Sequence, residues 1–224
     1  MQIIKLFKYA LIIVFLSILK SISAQTYEVG EWINHISKRE VILVDENGGV
    51  IYAATKSSIF TYNTSSGEFT TKTKVEGLSG VSISAMKYNK KKDFLMVGYS
   101  SGLIDFITDE EVYTIVDVQQ NSSLNSKVIN NIHFSGDTAY LACDFGLLVI
   151  NIQEKEIKST YFLGTSQEAV LVKDVTLGLD SIWVATDKGI YVASQKDGNL
   201  HNYQNWSIVK TLFPENTSFS FVEA

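Results

Sequence analysis

Three histidines, His35, His133 and His201, are the side chains of this chain best suited to acid–base work or metal ligation. A metal site needs three or four ligands converging on one point. These three fall on three separate strand-like segments with no common spacing, so each reads as an isolated surface or core residue. Asp144 and Asp187 each stand two positions before a glycine in matching segments. One reading is a ring of carboxylates around a ligand. The other is a turn cap, the carboxylate accepting backbone N–H bonds, and Lys56 and Ser100 at the matching positions elsewhere favour the cap. Cys143, the only cysteine, lies in an apolar run and reads as a buried, inert thiol that cannot form an intramolecular disulfide. Asp109-Glu110-Glu111 reads as a solvated acidic hairpin tip. No Gly-rich phosphate loop, nucleophile elbow or metal-ligand spacing occurs, so neither an enzyme nor a bound cofactor is expected. No ligand-binding residue is assigned.

The elements that would carry these residues repeat. Tyr52-Ala-Ala-Thr-Lys-Ser-Ser-Ile-Phe60, Met96-Val-Gly-Tyr-Ser-Ser-Gly-Leu-Ile104, Tyr140-Leu-Ala-Cys-Asp-Phe-Gly-Leu-Leu148 and Trp183-Val-Ala-Thr-Asp-Lys-Gly-Ile-Tyr191 share one strand-turn-strand pattern. Their turn positions, Ser58, Gly102, Gly146 and Gly189, are spaced by 44, 44 and 43 residues. A period of that length built from short strands predicts an all-β fold, a β-propeller of about four four-stranded blades. Glycine supplies positive φ at the turn, and Ser58 departs from the pattern. Four positions earlier stand Ala54, Gly98, Ala142 and Ala185, small enough for adjacent blades to approach. Six positions earlier stand Tyr52, Met96, Tyr140 and Trp183, able to fill the space between blade faces.

The blades are expected at about 41–76, 83–118, 128–164 and 171–206, with outer strands at 68–74, 112–118, 156–162 and 200–206. Residues 27–36 look like an outer strand that this fourth blade does not need, and 208–213 look like a fifth inner strand. Leftover strands at both ends point to part of a larger, seven-bladed ring. Unpaired edges would then favour self-association.

The first 24 residues read as a signal peptide: Lys5 and Lys8, an apolar run over 9–19, then small residues up to Ala24. Cleavage is expected between Ala24 and Gln25, with a cut after Ser23 as the alternative, leaving 25–224 as a partial propeller domain. No cysteine follows the apolar run to carry a lipid, and no second long apolar stretch offers a membrane span. The net charge is −5, Arg39 is the only arginine, and no basic cluster exceeds Lys90-Lys91-Lys92, which argues against nucleic-acid binding. Asp137-Thr-Ala139 and Asp180-Ser-Ile182 match a short O-glycosylation pattern of secreted Bacteroidetes proteins, a match that chance also supplies.

Several segments, in order, resemble the N-terminal propeller of the PorZ family of the Bacteroidetes type IX secretion system. They are Gly30-Glu-Trp-Ile-Asn-His35, Gly77-Leu-Ser79 with Ile83-Ser-Ala-Met-Lys-Tyr88, the run from Ile129 to Val149, Glu154-Lys-Glu-Ile157, and Trp183-Val-Ala-Thr-Asp-Lys-Gly-Ile190. The resemblance implies a non-enzymatic, exported binding module in the periplasm or on the outer-membrane cell surface. It implies protein partners like PorU, PorV and PorQ in an attachment complex that modifies cargo with anionic lipopolysaccharide. Members of that family are longer, with a second propeller and a C-terminal β-domain. The alternative reading is the sensor propeller of a hybrid two-component regulator.

Overall fold

Among the described residues the alternating apolar runs fold into sixteen short strands in four antiparallel sheets. The computed structural model describes residues 40–178, 180–196, 198–209 and 217–223, all within the compact unit Ser37–Ala224. His35, the expected cleavage site at Ala24 and Gln25, and the expected strand at 27–36 lie outside the described residues. Each sheet is a four-stranded meander, in the order β1-β2-β3-β4, β5-β6-β7-β8, β9-β10-β11-β12 and β13-β14-β15-β16. The first holds β1 (Leu43–Asn47), β2 (Val50–Ala54), β3 (Ile59–Asn63) and β4 (Phe69–Lys72). The second holds β5 (Ile83–Asn89), β6 (Phe94–Tyr99), β7 (Ile104–Ile107) and β8 (Val112–Ile115). The third holds β9 (Ile129–Ser135), β10 (Thr138–Cys143), β11 (Gly146–Asn151) and β12 (Glu156–Tyr161). The fourth holds β13 (Val172–Gly178), β14 (Ser181–Thr186), β15 (Gly189–Ser194) and β16 (Ser207–Ile208). The inner strands β1, β5, β9 and β13 pack in series, so the sheets are successive blades of an incomplete propeller that does not close.

The turns explain why the strands stop where they do. Gly48 and Gly49 take φ of +57° and +84° between β1 and β2, the paired positive values of a tight hairpin. Three longer turns open on an asparagine whose side-chain oxygen accepts backbone N–H bonds two and three residues on. Asn63 takes Ser65 and Ser66, Asn89 takes Lys91 and Lys92, and Asn151 takes Gln153 and Glu154. At the repeat turns, Gly102, Gly146 and Gly189 have φ of +86°, +143° and +137°. A Cβ on Gly146 would sit 2.2 Å from the carbonyl oxygen of Tyr161, so β12 also demands glycine there. Ser58 replaces that geometry with hydroxyls. It is fully buried, its Oγ lies 2.7 Å from Thr55 Oγ1, and its backbone N–H donates to that same oxygen. The small residues expected four positions earlier do sit at blade contacts: a Cβ on Gly98 would fall 2.6 Å from Ile129 Cγ2 on the next blade.

Three expectations need correction. The second blade's outer strand ends at Ile115 rather than at 118, because the chain turns into a one-turn helix, α1 (Asp117–Gln120), whose Val118 is buried against Gly102. The fourth blade's outer strand is not 200–206. Asn202 caps a 3-10 turn at Tyr203–Asn205, Trp206 Nε1 donates to the Leu200 carbonyl, and both apolar residues bury instead of alternating. Ser207 and Ile208 then pair with Val192 and Tyr191, so Ile208 belongs to the fourth blade and not to a fifth inner strand. Residues 210–216 lie outside the described set, and it is 217–223 that lie along β13. Val222 N–H donates to Asp174 Oδ2 at 2.9 Å, repeating the bond from Tyr88 N–H to Asp45 Oδ2 that joins β5 to β1.

Candidate functional site

The residues singled out for chemistry stay apart. His133 sits on β9, where burial pushes its pKa below the usual histidine value; Asp174 opposes that shift and Lys87 adds to it. His201 packs edge-on against Tyr161 at 5.1 Å. Cys143 is fully buried, and burial pushes its thiol far above the reactive range. Among the described residues no group of three His, Cys, Asp or Glu side chains could hold a metal ion. Asp144 does not cap its own turn. Its carboxylate accepts bonds from Ser126 Oγ and from Asn130 Nδ2, and that same amide also donates to the Val172 carbonyl of the next blade. In the matching turn of the fourth blade the cap is Thr186, whose hydroxyl accepts from Lys188 N–H and donates to the Gly189 carbonyl.

One acid escaped attention in the sequence. Asp105 is fully buried on β7, where its carboxylate accepts bonds from Tyr99 hydroxyl at 2.6 Å, Ser79 N–H at 3.0 Å and Thr114 hydroxyl at 2.8 Å. Burial, then the hydrogen bond to Asp105, raises the Tyr99 phenol well above its ordinary pKa. The network ties the Gly77-Leu-Ser79 connector to the second blade. Its signal was legible: an acid placed inside the apolar run Ile104-Asp-Phe-Ile107.

A cleft of about 1020 Å³ lies between the first and second blades. The strand registers explain why it exists. Across the face that each blade turns to its successor runs a row of paired residues. In the second blade this row is Lys87, Met96, Phe106 and Tyr113. In the first blade it is Asp45, Tyr52, Thr61 and Thr70. Two threonines stand where the second blade places two aromatic rings, and the missing volume is the cleft. Tyr52 stacks on Tyr88 of the second blade at 4.8 Å between ring centres, and Leu95 and Ile107 complete that wall. Tyr88 hydroxyl donates to Asp93 Oδ1 at 2.7 Å, and burial raises both phenols above their ordinary pKa. The hydroxyls of Thr61 and Thr70 bond each other. Turns rim the mouth with Glu68, Asp93, Asp109, Glu110 and Glu111 against the single cation Lys72.

The model of the type IX secretion system PorZ N-terminal β-propeller domain matches residues 51–207 of this chain. No curated protein matches it. Among solved structures it is similar to PorZ of Porphyromonas gingivalis, described as an essential bacterial surface component of the type IX secretion system. The TM-score is 0.65 at 25% identity, over 74% of this chain and 22% of that one. It is also similar in fold to the extracellular domain of BT4673 from B. thetaiotaomicron, assigned to a one-component system, with a TM-score of 0.60 at 17% identity over 80% and 23% of the two chains. Sqt1 of Saccharomyces cerevisiae shares the fold at a TM-score of 0.57 and 12% identity, over 74% and 49%. The chain spans about a fifth of the length of the two bacterial proteins.

Proposed function

Since this chain belongs to the PorZ N-terminal β-propeller family, we propose that it is a non-enzymatic binding module of a type IX secretion attachment complex. The family match over three of the four blades and most of the first carries this reading. In it, residues 1–24 are a signal peptide cleaved between Ala24 and Gln25, and 25–224 form part of a seven-bladed ring on an exported protein. No helix among the described residues is long and apolar enough to cross a membrane, which suits an exported module held by partners. The partners are sortase-like and outer-membrane components of the PorU, PorV and PorQ kind, at the periplasmic or outer face of the outer membrane. The module's contribution is to bring cargo and anionic lipopolysaccharide together, and its blade faces and clefts offer surfaces for contact rather than groups for bond-breaking.

Deleting the gene tests this. Secreted cargo should accumulate with its C-terminal sorting signal uncleaved, and a tagged chain should co-purify with outer-membrane components. Normal cargo processing in the deletion strain would overturn the reading. The likeness to a sensor-system extracellular domain over 80% of the chain supports a second reading, a periplasmic sensor propeller. That reading predicts intact secretion and a changed transcriptional response instead.

A further inference from the structure

We infer that the cleft between the first and second blades binds an extended polypeptide segment presenting lysine or arginine side chains. The inference does not depend on the secretion reading, because it rests on the cleft alone. Its volume of about 1020 Å³ is at the upper end of the range of ligand sites, about 300–1,000 Å³. Its lining pairs two tyrosine rings with five carboxylates and one ammonium group. Asp93 accepts the Tyr88 hydroxyl, and Glu111 pairs with Lys155 at 2.8 Å. Glu68, Asp109 and Glu110 have no side-chain partner among the described residues.

The next interface shows what such a lining takes. There Lys155 of the third blade ion-pairs with Glu111 of the second, and its ammonium lies 4.8 Å from the centre of the Tyr113 ring. Lysine, tyrosine and carboxylate are satisfied together by Coulomb attraction and the ring's negative face. Lys155 immediately precedes its blade's outer strand, β12. The residues at the same place before β8 and β4 are Glu111 and Glu68. Across the second interface this position therefore pairs acid with base, and across the first it sets acid beside acid. The chain fills the second site with its own cation and, at the matching place in the first, supplies an acid instead. A ligand that brings cations on a flexible stem, spaced along an extended backbone, matches the tyrosine floor, the threonine wall and the acidic rim together.

The test is fluorescence polarisation of the full chain with a labelled decapeptide of alternating lysine and serine, and with its glutamate–serine counterpart. The basic peptide should bind, the acidic one should not, and added salt should weaken the complex. Glu68→Gln, Asp109→Asn and Glu110→Gln combined should weaken binding by about tenfold or more. The triple variant Glu154→Gln, Glu156→Gln and Glu168→Gln removes as much charge from the third blade and its exit, and should leave binding unchanged. Thr61→Phe with Thr70→Tyr restores the aromatic row of the second blade and should abolish binding, with thermal unfolding at or above that of the parent chain. Equal weakening by the two charge triples would overturn the inference as mere bulk electrostatics. Failure of the basic peptide to bind would overturn it outright. Binding of maltohexaose that the Phe and Tyr substitutions abolish, with no basic-peptide binding, would reassign the cleft to glycans.

Discussion

Between the second and third blades, Phe94, Met96 and Phe106 meet Ile150 in one buried cluster, with the half-buried Phe134 and Ile157 packed against it. Between the first and second, Tyr52 stacks on Tyr88, but Thr61 and Thr70 face Leu95 and Ile107 across open space. Both interfaces pack inner strand against inner strand and carry a small residue near the axis, Ala54 in one and Gly98 in the other. They differ in the outer half of the row, where Thr61 and Thr70 stand in the places that Phe106 and Tyr113 hold in the second blade. A propeller thus separates the positions that hold blades in place from those that decide whether the space between them is core or cleft. The first kind cannot change without moving backbone, whereas the second can trade stability for a surface that recognises something.

The comparison breaks most readily at the sealed interface. Phe106→Ala removes a ring that is 3% exposed and stacked on Phe94 at 5.2 Å, and should cost about 3–5 kcal/mol in urea unfolding. Thr61→Ala on the cleft wall should cost about 0.5 kcal/mol or less. Similar costs at the two sites would mean the cleft is packed in solution. Next in size is Gly98→Ala, where the new methyl meets Ile129 and should cost about 1–3 kcal/mol by overpacking. A neutral result would show that the blades have room to separate near the axis. Asp105→Ala strands the buried Tyr99 hydroxyl and frees the Ser79 connector, and should cost about 1–3 kcal/mol and speed hydrogen exchange at Ser79. The smallest effect is a pH dependence at His133. Its folded pKa lies below the ordinary 6.5, so its contribution to stability is present above that value and fades as pH falls through it. His133→Asn should flatten the decline in stability between about pH 7 and 5.

The repeat made the architecture legible because its signals are local: a glycine where φ must be positive, a small residue where blades meet, alternation along short strands. The fourth outer strand was not legible, since Leu200 and Trp206 are spaced like strand residues but bury around a 3-10 turn capped by Asn202. Ser58 was recognised as different, yet its hydroxyl partner Thr55 could be identified only once the turn was closed. The cleft was hidden for a deeper reason. Thr61 and Thr70 look unremarkable in sequence, and only the register that sets them beside Tyr52, in the places that Phe106 and Tyr113 hold in the next blade's row, shows what volume is missing. The same holds for Glu68 and Glu111, whose likeness to Lys155 appears only when each is placed before its outer strand.

The openness of that cleft can be read from a single thiol. Cys143 is fully buried and should not react in the folded chain, so a cysteine introduced elsewhere is the only reporter. Thr61→Cys and Val149→Cys occupy paired-row positions in the first and third blades, and Val149 is 3% exposed. Labelling with a thiol reagent under native conditions should modify Thr61→Cys rapidly and leave Val149→Cys protected, and the basic peptide should slow the first reaction. Equal protection at both positions would mean that the first interface is sealed like the others, and would contradict the account.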